Sequence, residues 1–144
     1  MNIEHELTTR QLQAAYKGGL RKFSNTEIIV ESGNDLPALL TDIDLQGSEF
    51  SNCWFHSAIF RHVNLSNVKF DLCNLKLTTF ENCDLSGSIW KECAVCAIAV
   101  AGSNTEAIQV SEVTAYGESF EDVEYFLEHA LNNGKSNRSG ASEV

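Results

Sequence analysis

From Leu45 to Trp90 every fifth residue is Leu, Phe or Trp, in the series Leu45, Phe50, Phe55, Phe60, Leu65, Phe70, Leu75, Phe80, Leu85, Trp90. The position two before each is small or β-branched, running from Ile43 and Ser48 through Cys53, Ala58 and Val63 to Ser88 and Cys93. The other three positions of each unit are mostly polar. A period of five fits neither a helix nor a strand, so the chain winds as a repeat that sends one bulky and one compact side chain inward per unit. The residue two after each large one reads Gly47, Asn52, Ser57, His62, Asn67, Leu72, Leu77, Asn82, Gly87, Glu92, and half of these are Gly or Asn. Those two residue types best tolerate the positive φ of a type II turn, which predicts a bend in every unit.

The units Asp44-Leu45-Gln46-Gly47-Ser48, Asn64-Leu65-Ser66-Asn67-Val68 and Asp84-Leu85-Ser86-Gly87-Ser88 make the chain resemble the pentapeptide-repeat family over residues 38–100. The resemblance implies an all-β solenoid, a right-handed quadrilateral β-helix with four units per coil, here of about three to four coils. It implies no single activity. Stacked coils place residues 20 apart above one another, which sets Glu49 over Lys69, Arg61 over Glu81 and Asp71 over Lys91. The same spacing sorts Leu45, Leu65 and Leu85 onto a first face, Phe50, Phe70 and Trp90 onto a second, and Cys53, Cys73 and Cys93 onto a third. Phe60 and Phe80 stack on the fourth.

Open solenoid ends expose apolar surface and unpaired backbone, so each end requires a cap. Residues 1–37 form the N-terminal cap, with a helix over residues 8–17, Thr8 and Gln11 as a capping box, and Gly18-Gly19 as its stop. Phe23 and Ile28 are candidate first units, out of phase with Leu45 and Phe50, so an insertion at residues 31–37 breaks the register. Residues 101–132 read as a degenerate last coil, kept in spacing by Ile108 and Val110, followed by a C-terminal helix. Ser119 and Asp122 resemble a capping-box start for that helix, and Phe120, Val123, Phe126, Leu127, Ala130 and Leu131 follow helical spacing. Residues 133–144 are small and polar and read as a disordered tail.

The composition, 43% hydrophobic in 144 residues, suits one small domain. Its net charge of −10 disfavours nucleic acid as a direct ligand. Some members of the family protect type II topoisomerases by imitating duplex DNA, and that resemblance needs a continuously acidic rod. Residues 41–100 carry seven acids and four bases, whereas residues 101–144 carry eight and two, so the negative charge lies mainly beyond the repeats. No signal peptide or apolar run of membrane-spanning length is apparent, which leads to the expectation of a cytoplasmic protein without a membrane partner.

The search for chemistry yields little. Cys93-Ala94-Val95-Cys96 has Cys-x-x-Cys spacing, but Cys93 takes an inward position and Cys96 an outward one, and no second pair completes a zinc set. The cysteine column reads as reduced core thiols. His56 and His62 lie outward near Trp54, with no cleft in which a nucleophile could meet them. No P-loop, dinucleotide fingerprint or serine elbow occurs. The expectation is a non-enzymatic protein with no cofactor, metal or catalytic residue.

What remains is surface. Trp54, Ile59 and Leu77 stand where the repeat expects polar residues, clustered around the third face and its edge with the fourth. They are the candidate partner-binding surface unless terminal segments fold across them. The expected partner is another protein, which makes the chain a scaffold or interaction module; protection of a topoisomerase by DNA mimicry, or immunity to a toxin, is the alternative. The apolar face made by Phe120, Val123, Phe126, Leu127 and Leu131 must cover its own last coil or a second copy, so a homodimer through this helix is a further expectation.

Overall fold

The polypeptide turns a corner in every repeat because the residue two after each large side chain adopts a left-handed backbone. All ten such positions from Gly47 to Glu92 have φ between 53° and 76°. The expected uniform turn divides into two kinds. At alternate corners a backbone hydrogen bond closes the turn, as where Ser48 N–H donates to the Leu45 carbonyl at 3.1 Å and Ala58 N–H to the Phe55 carbonyl at 2.8 Å. The corners between them, such as that at Asn52, bend without this bond.

Four corners complete a coil. The computed structural model describes residues 3–29 and 38–130 and sets residues 20 apart side by side on four faces. The second face is a five-stranded parallel sheet that begins at Lys22–Ser24, continues through Glu49–Ser51, Lys69–Asp71 and Ile89–Lys91, and ends at Gln109–Ser111. The fourth is three-stranded, from Leu39–Thr41 through Ile59–Arg61 to Thr79–Glu81. The first and third are ladders of single bridges, Asp44 to Asn64 to Asp84 to Asn104 and Glu27 to Trp54 to Asn74 to Ala94 to Thr114.

About five coils result, rather than three to four. Phe23 lies under Phe50 at a separation of 27, whereas Leu40 lies under Phe60 at 20, so seven extra residues enter between Ile28 and Leu40 and hide the first coil. The expected insertion at residues 31–37 lies outside the described residues. Beyond Val100 the register persists through Val110, which pairs with Trp90, so the repeats continue past residue 100. Small inward residues at Thr105 and Ala115 mask that continuation.

Aromatic stacking runs the length of the interior. Phe23, Phe50 and Phe70 stack at centroid distances of 5.2 and 5.7 Å, and Trp90 follows at 5.0 Å from Phe70. Phe60 and Phe80 form a second stack at 4.8 Å. Burying one such side chain stabilises by about 1.5–3 kcal/mol, with roughly 0.5–1.5 kcal/mol more per ring pair.

Both ends are capped. A strand not anticipated from the pattern, His5–Thr8, pairs in parallel with Thr26–Ile29 and leads into the helix Thr9–Lys17. The capping box forms: Gln11 N–H donates to Thr8 Oγ1 at 3.1 Å and Thr8 N–H donates to Gln11 Oε1 at 2.9 Å. Leu12 is buried on the first coil, and the Tyr16 hydroxyl donates to the Gln46 carbonyl at 2.8 Å.

At the other end the expected helix start is corrected. Val113–Ala115 and Glu118–Phe120 form an antiparallel hairpin around Tyr116 and Gly117, both at positive φ, so Phe120 ends a strand paired with Val113 rather than beginning a helix. Two consecutive positive-φ residues match the twist of a two-residue hairpin, and the Gly-containing turn was the signal for it. Asp122 itself caps the helix of residues 123–130, its Oδ1 accepting from Glu124 N–H at 2.9 Å. Phe126 is buried 5.4 Å from Trp90, Ala130 is buried, and Val123 and Leu127 are half-buried. The helix therefore covers its own last coil with Phe126. Leu131 and the tail at 133–144 lie outside the described residues.

Candidate functional site

Six of the compact inward residues carry a donor that reaches the carbonyl of a large residue one coil below. Cys73 Sγ donates to the Phe50 carbonyl and Cys93 Sγ to that of Phe70, both at 3.2 Å. Cys53 and Cys83 do the same to Phe23 and Phe60 at 3.4 Å. Thr78 and Ser103 make the equivalent bond with hydroxyls, at 2.9 and 3.0 Å to Phe55 and Phe80. Burial pushes the Cys73 thiol well above its ordinary range and raises that of Cys83, which keeps both protonated as donors. Cys93 is buried while Cys96 is half-buried on the outer side, so the Cys-x-x-Cys pair points its sulfurs in opposite directions.

The polar position before each large residue of the first face is equally structural. Asp44, Asn64 and Asp84 each accept through Oδ1 from the backbone N–H two residues on at 3.0 Å, and Asn104 does so at 3.1 Å. These Asx turns hold the corner in place and use the carboxylates of Asp44 and Asp84. An Asx, a buried Leu, a left-handed corner and a compact inward residue together account for the five-residue unit. A family model for the pentapeptide repeat region matches residues 43–120, more than half of the chain. The chain belongs to the pentapeptide-repeat family.

Two solved structures match this pentapeptide-repeat protein at low similarity. A trypsin-treated variant of QnrB1, a plasmid-mediated fluoroquinolone resistance protein, is 14% identical, with 81% of this chain and 70% of that chain covered at a TM-score of 0.24. A second trypsin-treated QnrB1 variant is 12% identical, with 81% and 74% covered at a TM-score of 0.20. No curated protein matches the chain.

Of the residues that break the pentapeptide pattern, the structure treats each differently. Leu77 stands at the corner between the third and fourth faces at φ 60°, and it is 52% exposed. Ile59 is half-buried in its strand, in register with Leu39 below and Thr79 above. Leu39 is exposed and was not among the candidates, because it precedes the unbroken run of units. Leu77 leads into Thr79, so Leu39, Ile59 and Leu77 gather at one edge. Trp54 lies at the opposite side of the third face, half-buried in a shallow depression with Glu27, Ile28, His56, Asn74 and Lys76. Leu72 occupies the corner nearest Trp54, at φ 59° and 48% exposed.

The described terminal segments stack on the ends of the rod instead of crossing these faces: the N-terminal strand extends the third face below Glu27, and Phe126 covers Trp90. Two of the three charge pairs expected from the spacing close, Arg61 to Glu81 at 2.8 Å and Glu49 to Lys69 at 3.9 Å. Asp71 and Lys91 are register partners, but their side chains make no ion pair. Among the described residues no helix is long and apolar enough to cross a membrane.

Proposed function

We propose that this pentapeptide-repeat solenoid is a non-enzymatic interaction module that binds another protein through its leucine-bearing corners. The observation that carries the reading is the pair Leu72 and Leu77, each about half exposed on left-handed backbone. An L-residue in that conformation costs roughly 1–2 kcal/mol, and an exposed leucine recovers only part of its burial energy. The fold would be served better by Asn or Gly, as at Asn52 and Gly87. Strain combined with apolar exposure is the signature of a surface kept for contact with something outside the chain.

The charge distribution favours a protein ligand over imitation of duplex DNA. Asp44 and Asp84 serve as turn acceptors, and Arg61 and Lys69 neutralise Glu81 and Glu49 along the rod. Five unpaired cysteines fit a reducing compartment such as the cytoplasm.

The test is affinity capture from the native host with the parent chain and with a Leu72→Asn, Leu77→Asn double variant. A protein retained by the parent and lost with the variant supports the reading. Equal capture by both, or none by either, ends it.

A further inference from the structure

The C-terminal cap carries a second surface of different chemistry. Tyr116, Phe120, Tyr125 and His129 line one depression together with the carboxylates of Glu118 and Glu128. Its construction follows from the hairpin and the helix. The two-residue turn presents Tyr116 at the hairpin tip, where it is 69% exposed, and Tyr125 and His129 lie one helical turn apart on the same side of the C-terminal helix. Phe120 is the buried floor, with centroids 5.0 Å from Tyr125 and 5.3 Å from His129. Tyr116 stands 6.0 Å from His129 in an edge-to-face arrangement. The Tyr125 hydroxyl donates to Glu118 Oε1 at 3.4 Å, which holds that carboxylate at the rim.

Glu118 and Glu128 are the acids that line the depression, and neither Lys nor Arg is among its lining residues. Between Glu92 and Ala130 the sequence has eight acidic residues and neither Lys nor Arg. Ring faces attract cations through their quadrupole, and carboxylates pair with a guanidinium through two parallel hydrogen bonds. A shallow site offering both favours a flat, weakly hydrated cation over a compact ammonium.

We infer that this depression receives an arginine side chain of a partner protein, stacked on Tyr116 or Tyr125 and paired with Glu118 or Glu128. The inference rests on the proposed protein-binding role only for the source of the arginine; the chemistry of the cleft is independent of Leu72 and Leu77.

The experiment titrates the full chain with N-acetyl-arginine amide, following amide and aromatic ring shifts by NMR, with N-acetyl-lysine amide and N-acetyl-citrulline amide as parallel probes. Saturable shifts confined to residues around Tyr116, Tyr125 and His129 are expected with the arginine probe, at a Kd in the millimolar range. Lysine should bind roughly fivefold more weakly, and citrulline, which keeps the shape without the charge, should not saturate. Glu118→Gln and Tyr125→Leu, each checked for unchanged far-UV circular dichroism, should weaken the arginine probe roughly fivefold. Glu106→Gln, an exposed acid on the rod, should leave it unchanged. Saturation by citrulline, lysine binding as tight as arginine, equal weakening by Glu106→Gln, or no shift at all would overturn the assignment. Because the probe is a single amino-acid derivative, failure here leaves the capture experiment on the leucine corners standing, and success does not depend on it.

Discussion

Ser48 and Ser88 are the same residue at the same place in the repeat, both fully buried, and they should respond to alanine in opposite directions. Ser88 Oγ donates to the Leu85 carbonyl at 2.7 Å and accepts from Trp90 Nε1–H at 2.8 Å. Among the described residues Ser48 Oγ has no hydrogen-bond partner. The difference arises one unit along: the second face carries Phe50 beside Ser48 but Trp90 beside Ser88, and only the indole brings a buried N–H that needs an acceptor. Ser88→Ala strands that N–H, at about 1–3 kcal/mol, and removes a further hydrogen bond of about 1 kcal/mol, so a loss of roughly 2–4 kcal/mol is expected. Ser48→Ala removes an unsatisfied hydroxyl and should be neutral or stabilising by up to about 1 kcal/mol. Urea unfolding followed by circular dichroism and tryptophan fluorescence measures both, and at roughly 3 °C per kcal/mol the two melting temperatures should separate by about 10 °C. The control is the double change Ser88→Ala with Trp90→Phe. It removes both partners and should recover part of the loss, since Phe50 and Phe70 already fill that column. Equal destabilisation by the two serine variants, or no recovery in the double variant, would refute the reasoning.

Other predictions follow from the same packing. Ellman's reagent should modify one thiol, Cys96, in the native chain and all five after denaturation, because the other four are buried donors to backbone carbonyls. Native thiols at Cys73 and Cys83 are raised above the ordinary value of 9.0, so the unfolded chain releases those protons first as pH rises. Their contribution is complete below that value and declines above it; the Cys53 thiol, lowered by its hydrogen bond with Cys73, shifts the opposite way and by less, so urea midpoints should fall between neutral pH and pH ~10. Leu75→Ala, in the core, should cost about 2–5 kcal/mol, whereas Leu77→Asn should stay within about 1 kcal/mol of the parent, as relief of left-handed strain offsets lost partial burial; thermal melts compare them. Truncation after Gly117 removes Phe126 from Trp90, and the tryptophan emission maximum should move to the red with a loss of thermal stability.

The five-residue period makes most of the solenoid legible in the sequence. Residues 20 apart are neighbours because four left-handed corners close a coil, so the Phe50–Phe70 stack, the cysteine column and the Glu49–Lys69 pair could be read from spacing alone. The N-terminal capping box was legible for a similar reason: its partners are three residues apart. The first coil was obscured by the longer connection between Ile28 and Leu40, and the last by inward residues as small as Thr105 and Ala115.

Local sterics thus determined the repeat by itself: side-chain size chose inside from outside, and tolerance of positive φ chose the corners. Contacts between segments far apart in sequence decided the rest. Spacing showed that Trp54 and Leu77 break the pattern, but only the assembled faces set Trp54 half-buried on one side and Leu77 exposed on the other. The hairpin that took Phe120 from the helix, the covering of Trp90 by Phe126 and the aromatic depression beside Glu118 are likewise tertiary. Each depends on where a non-repeating segment lands on the end of the rod, and a period carries no information about the place where it stops.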